Sequence, residues 1–159
     1  MNNRYLFRGK RTDTGEWVLG HYGEFHNYHT GETTHQIFER KEPVYKTAMS
    51  AYAGGQWHMI DESTLGQCTG LSAAKSYRGE KPNDLLIYEG DTLLWTEDDI
   101  SKKEKHGVCE WSEYGYCLTV PSDIASTEFF VVWNLEAVVM RGCEIIGTIH
   151  DTEDSHDED

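Results

Sequence analysis

Apolar and polar positions alternate in short runs along most of this chain, and glycine-bearing turns close many of the runs. Alternation with a period of two puts successive side chains on opposite faces of an extended backbone, so the pattern predicts strands in preference to helices. The opening "RYLFRGKRTDTGEWVLGHYGEF" gives a strand, a Thr-Asp-Thr-Gly turn and a second strand around Trp17, Val18 and Leu19. Gly15 is the residue free to take positive φ where that hairpin reverses. The following "HNYHTGETTHQIF" is polar and turn-rich before Ile37 and Phe38, and fits a second hairpin or an exposed loop equally. Gly54 and Gly55 would end any short helix begun at Val44, and a strand is expected from Trp57 to Ile60. Residues 72–84 are small and charged, contain Pro82, and read as a loop.

The clearest strand signal is "LLIYEGDTLLW", residues 85–95. Gly90 supplies its turn, Asp91 can hydrogen-bond its own backbone at the strand mouth, and Thr92 with Leu94 lies opposite Leu93 with Trp95. Such a strand can be covered on both sides. "TEDDISKKEKHG" reads as a solvated linker or short helix. A hairpin is expected where Val108, Glu110 and Trp111 precede a Ser-Glu-Tyr-Gly turn and Tyr116, Leu118 and Val120 alternate after it. Periodicity allows a short helix from Asn134 to Met140, whereas "EIIGTI" is strand-like. Short strands with few helices predict a mainly β or α+β domain built around a small barrel. "FFVVW" at 129–133 is a candidate edge or interface strand, since small barrels tend to pair exposed edges.

Composition supports a folded chain. Its 159 residues and 18.2 kDa suit one domain, or two small lobes sharing a core, and a polar mean hydropathy of -0.64 is offset by five Trp, nine Tyr and five Phe. The net charge of -14 is unevenly spread: residues 1–47 hold seven Lys and Arg against six acids, whereas "DTEDSHDED" at the end holds six acids and no Lys or Arg. That tail is expected to be disordered, and the body stays acidic without it. An acidic surface repels phosphate, so nucleic-acid and anionic-membrane binding are disfavoured, apart from a local basic patch at Arg4, Arg8, Lys10 and Arg11. Cys68, Cys109, Cys117 and Cys143 form no C-x-x-C pair and the amino terminus lacks an apolar signal-peptide core, which reads as reduced, packed thiols in a cytosolic protein. "FFVVW" is far too short to span a bilayer.

Three blocks carry a family resemblance: "GQCTGL" at 66–71, "IYEGDTLLW" at 87–95 and "EIIGTIHD" at 144–151. With "RYLFRGK" and "GEWVLG" near the start, they resemble the signature segments of the YopX-like proteins of phages and prophages. The resemblance implies a C-terminal SH3-like small β-barrel, with the N-terminal hairpin region (1–71) packed on the barrel region (72–151) ahead of an acidic tail (152–159). It implies a phage or prophage origin and no known activity, and it brings no catalytic residues. The chain departs from the family in three places. Cys68 stands where an aromatic is usual, the loop from Ser72 to Leu86 is longer, and the usual Asn-Pro after the last block gives way to the acidic tail.

Several residue sets have chemistry to offer, each with a blander reading that outweighs it. "GQCTG" matches a nucleophile elbow with Cys68 as nucleophile, but an elbow needs a strand-to-helix turn over an α/β sheet, and no βα alternation is present. His21, His26, His29 and His35 crowd one segment and could bind zinc, yet no cysteine lies near them, and exposed histidines on a hairpin or loop explain them as well. Asp98-Asp99, or Glu89 with Asp91, could be posed as acid and base, but so many acids make such neighbours expected. Tyr88, Trp95, Trp111, Tyr114 and Tyr116 could line a peptide groove or a stacking platform, or simply fill a core. No residue is therefore assigned a catalytic, cofactor or metal role, and no cofactor is expected. The expectation is a non-enzymatic phage accessory protein of the host cytoplasm, oligomeric, acting as a protein-interaction or self-assembly module. A nucleic-acid-directed role is the alternative, through the basic patch or as an acidic DNA mimic that inhibits a host protein, with a small Cys68 hydrolase behind it.

Overall fold

The opening hairpin forms where the alternation places it: β1 (Phe7–Lys10) pairs with β2 (Trp17–His26), Phe7 facing Gly20 and Lys10 facing Trp17. Gly15 takes φ 72° at the reversal and donates its N–H to Arg11 O at 2.9 Å. The computed structural model describes residues 5–40, 54–81, 84–97, 102–113, 115–121 and 130–151. Of the two readings open for the polar stretch after His26, the hairpin is the one that forms. Asn27 O accepts the Gly31 N–H, Gly31 has φ 76°, and β3 (Thr33–Arg40) runs antiparallel to β2. The strand expected at 57–60 is β4 (Gly55–Met59), with Ile60 in an isolated bridge to Arg11. The helix considered after Val44 and the pair Asp98-Asp99 lie outside the described residues.

The chain divides into two compact units, Met1–Cys68 and Thr69–Asp159, so the division falls inside β5 (Gly66–Ser72), three residues before the 71/72 boundary expected from sequence. In the first unit the strand order is β4-β3-β2-β1-β5. Val18, Ile37 and Ile60 are its buried centre, with Phe7 and Leu65 packed against them. The chain reaches Leu65 through a single 3-10 turn at Glu62–Thr64, started by Asp61, whose Oδ1 accepts the Ser63 N–H at 3.0 Å.

In the second unit the segment read as a loop, 72–84, contains β6 (Lys75–Ser76), which pairs in parallel with the last strand. Then follow β7 (Leu86–Tyr88), beside the end of β5, and a meander of β8 (Asp91–Thr96), β9 (Glu104–Ser112), β10 (Gly115–Pro121) and β11 (Phe130–Asn134). The short helix α1 (Leu135–Met140) begins one residue after its expected start because Asn134 is its cap, Oδ1 accepting the Ala137 N–H at 3.0 Å. β12 (Glu144–Thr148) then returns to pair with β8. The sheet order is β11-β10-β9-β8-β12-β6, so β11, the "FFVVW" segment, is an edge strand among the described strands. Leu93, Trp95, Cys109, Leu118, Leu135, Val138 and Ile145 form the core on one face.

The protein is therefore mainly β, with one α-helix among the described residues. Both strand orders have two free ends, so these strands do not close into a barrel, contrary to the expectation of a closed one. β8 is fully covered on one face only: Asp91, Leu93 and Trp95 are buried, whereas Thr92 and Leu94 are half-exposed.

Asp91 does more than the turn role expected of it. Its side chain is wholly buried, and Oδ2 accepts the Tyr88 N–H at 2.9 Å across the Glu89-Gly90 turn. Arg78, from the segment before β7, donates to both carboxylate oxygens at 3.3 and 3.2 Å and to Leu86 O at 2.6 Å. Gly90, at φ 83°, donates to Cys109 O and accepts from the Ile149 N–H, so the turn is tied to two further segments.

Candidate functional site

Antiparallel register fixes which side chains share a face. In the first unit Val18, Tyr22, Ile37 and His58 point to the core side, and the outward positions follow from the same ladders. β1 sends Arg8 and Lys10 outward, β2 sends Trp17, Leu19, His21, Gly23 and Phe25, β3 sends Thr34, Gln36, Phe38 and Arg40, and β4 sends Gly55, Trp57 and Met59. Phe25, Trp57 and Met59 keep 42%, 44% and 53% of their surface in solvent, an unusual outlay of apolar area for a chain this polar.

The rings form one layer. Trp57 lies 4.9 Å from Phe25 and 5.2 Å from Phe38 between centroids. Glycine makes room for them: a Cβ on Gly23 would stand 3.0 Å from both Phe25 and Trp57, and one on Gly55 would stand 2.1 Å from the Phe38 ring. At the β1 end, Lys10 Nζ is 5.4 Å and Arg8 Cζ 4.8 Å from the Trp17 ring centroid. No outward position on β1 to β4 carries Asp or Glu, although the whole chain has 28 of them.

The opposite side of the same strands holds a polar chain. Tyr22 OH and His35 Nδ1 are 2.6 Å apart, and His35 Nε2 is 3.3 Å from Glu62 Oε2. An ionised carboxylate only accepts, so a neutral His35 carries its hydrogen on Nε2 and takes the Tyr22 proton-donor bond on Nδ1. Burial, then the charges of Glu24 and Glu62, hold the Tyr22 hydroxyl above its ordinary pKa. That is the opposite of an activated phenolate, and the arrangement orders β2, β3 and the Glu62 turn. His58, nearly buried, meets Glu39 at 3.2 Å in the same way.

The residues singled out in the sequence are dispersed by the fold. His21 points outward, His35 inward, His26 bonds Thr33 Oγ1 at 3.1 Å near the strand end, and His29 sits in the turn on Asn27. Among the described residues no three His, Cys, Asp or Glu side chains are placed to hold a metal. Cys68 is fully buried in the middle of β5, its N–H on Leu6 O, and stands on a strand where an elbow would need a turn. Tyr88 and Trp95 are core residues; Trp111 is 62% exposed with Tyr116 edge-on at 4.8 Å, and Tyr114 lies outside the described residues. Of the basic patch, Arg8 is buried, Arg11 is held bidentately by Asp13 and Lys10 is half-buried with its Nζ over the Trp17 ring; Arg4 is outside the described residues. In the second unit a recess of about 220 Å³ between Lys75, Thr96, Glu104 and Glu144 mixes both charge signs and converges no reactive set.

The open face was missed because β2 is rich in apolar groups on both sides. Its signal was the doublet of a large apolar residue at Trp17 and Leu19 against Val18, which a single-face reading of the alternation discards.

Comparison with known proteins gives one family match, which spans residues of both units. The family model described as YopX protein matches residues 6–154. The chain belongs to the YopX protein family. The match runs through every strand of both sheets of this YopX-family chain, including the aromatic face and the Asp91 turn. No curated protein and no solved structure matches it.

Proposed function

We propose that this YopX-family chain is a phage-type accessory protein that works by binding and performs no reaction of its own, as an interaction or self-assembly module in the host cytoplasm. The open face of β2 to β4 carries the reading: Phe25, Trp57 and Met59 are solvent-exposed on one face of an antiparallel sheet, which is how a surface meant to be covered looks. Family membership supports the phage-type origin. No helix among the described residues is long and apolar enough to cross a membrane, which fits the cytoplasmic placement. The second unit supports an SH3-like architecture through its connectivity: four strands in a meander, a short helix, and a fifth strand beside the first.

A photo-crosslinking amino acid at position 57, in the full chain expressed in host cells, tests the reading. It should give a discrete adduct that the same group at Tyr28, an exposed turn residue, does not. No adduct at 57 above the Tyr28 background, together with monomeric sedimentation at every concentration, would overturn it. A nucleic-acid-directed role is the second reading, favoured by the absence of carboxylates from the outward positions of β1 to β4.

A further inference from the structure

We propose that β11 pairs edge to edge with β11 of a second copy, antiparallel about a twofold axis through Val132, so that two sheets join into one. This seam lies in the second unit, is separate from the open face of β2 to β4, and stands or falls without it.

Register shows which groups the edge presents. Glu97 donates its N–H to Lys103 O at 2.9 Å, which makes 97 and 103 a hydrogen-bonded pair continuing the β8–β9 ladder. Bonded and non-bonded pairs alternate in an antiparallel ladder, so Lys105 and Gly107 also bond to β8 while Val108 and Glu110 turn to β10. Their partners Thr119 and Cys117 face back to β9, which leaves Leu118 and Val120 to bond Trp133 and Val131. Val132 therefore directs both its N–H and its C=O away from β10, the one strand among the described ones that pairs with β11. The residue is 65% exposed.

Edge strands of soluble proteins are guarded by charge, proline, a bulge or shortness, and β11 has none of these: "FVVWN" is five residues in unbroken register. The other end of the same sheet is guarded, since β6 has two residues and runs on into Arg78, Glu80 and Lys81. Charged residues make up 26% of the chain, yet β10 and β11 contain none.

That bare margin selects the occupant. Two bodies of net charge -14 repel wherever their acids meet, and a charge-free strip two strands wide is where they can approach. A charged foreign strand would find no counter-charge along it, whereas a neutral strand meets its own copy without penalty. The twofold axis sets Val132 against its counterpart and carries the row Thr92, Val108, Thr119 and Val132, β-branched throughout, across the seam. On that face Glu110 sits on β9, back from the seam, and accepts from Thr119 Oγ1 at 2.7 Å.

Five residues a side make a small seam, so a dissociation constant of about 100 µM is expected. Salt should tighten it, because screening weakens the repulsion between two acidic bodies and no ion pair crosses the seam.

Sedimentation equilibrium of the full chain from about 10 µM to about 1 mM, at low and high salt, tests the proposal. A monomer–dimer equilibrium that tightens with salt is the expected result. Val132→Pro removes a donor that points away from β10, so far-UV circular dichroism should stay unchanged while association weakens at least about tenfold, the order for two lost backbone bonds. Val132→Thr keeps the backbone groups and the β-branch, and should associate within about threefold of wild type. Hydrogen exchange of the wild-type chain needs no variant: the Val132 amide should slow as concentration rises, with Val131 and Trp133 slow throughout. A monomer up to about 1 mM, undiminished association of folded Val132→Pro, a Val132 amide indifferent to concentration, or a dimer loosened by salt would each overturn the proposal. Protection of Val132 by an added capped peptide of residues 129–134, in a chain that stays monomeric, would overturn the second copy and assign the edge to a foreign strand. A dimer that Trp57→Ala abolishes and Val132→Pro leaves intact would belong to the β2–β4 face and overturn the seam alone.

Discussion

Asp91 has no solvent-exposed side-chain surface, yet it stays in place because Arg78 and the Tyr88 N–H both donate to it. Removing one partner of a buried ion pair leaves a charge without compensation, which is far more damaging than the pair is worth. Arg78→Met is therefore expected to destabilise the protein by about 3–5 kcal/mol, read as a fall in the urea midpoint, while replacing exposed Lys81 by Met should move it little. Cys143 offers a second residue-scale test. Burial pushes its thiol up to about 11, so the neutral form is favoured in the folded chain. The resulting stability is complete below the unfolded thiol's pKa and is lost as pH climbs from there through about 11. Urea titrations at pH 8 and 10.5 should show a loss in the wild-type chain that Cys143→Ala reduces; an identical loss in both would contradict the assignment. Asp91's turn role could be read from "EGD", since it needs only three consecutive residues. Arg78 could not, because its partner lies 13 residues away in a segment with no periodicity.

At the scale of elements, glycines separate sites where backbone blocks a side chain from sites where a side chain does. A Cβ at Gly20 would lie 2.0 Å from Phe38 O, on the strand it pairs beside, and only moving β2 off β3 could relieve that contact. At Gly23 the nearest atoms are ring edges of Phe25 and Trp57 at 3.0 Å, and rings at a surface can turn away. Gly20→Ala should cost about 3 kcal/mol and Gly23→Ala about 1 kcal/mol, measured by thermal or urea unfolding. The reverse order would show that the rings are held more firmly than their exposure implies. Hairpins at β1–β2 and β9–β10 were legible because both strands and their turn are adjacent in sequence. β6 was not legible: its two residues pair in parallel with β12, nearly seventy positions later.

For the whole molecule the dominant quantity is a net charge of -14 spread over 159 residues. Self-repulsion among exposed acids opposes the compact state and is screened as the Debye length shrinks from about 30 Å at 0.01 M to about 8 Å at 0.15 M ionic strength. The melting temperature should therefore rise by a few degrees between those two salt concentrations in scanning calorimetry. A fall would mean that favourable pairs such as Arg11 with Asp13 outweigh the repulsion, although Asp13 of that pair is well exposed. The same acidity makes the carboxylate-free sheet face stand apart, and composition averages that contrast away.

By itself the sequence determined that this chain folds into short antiparallel strands, where most of them lie, that a helix follows Asn134, and that it belongs with the YopX proteins. Each of those rests on local alternation, a capping residue or a run of contiguous motif residues. Tertiary structure decided which of two apolar faces is buried, that Cys68 is a strand residue, that Arg78 closes the Asp91 turn and that the four histidines part company. Such outcomes depend on strand register, and a shift of one position in pairing would send every side chain of a strand to the other face.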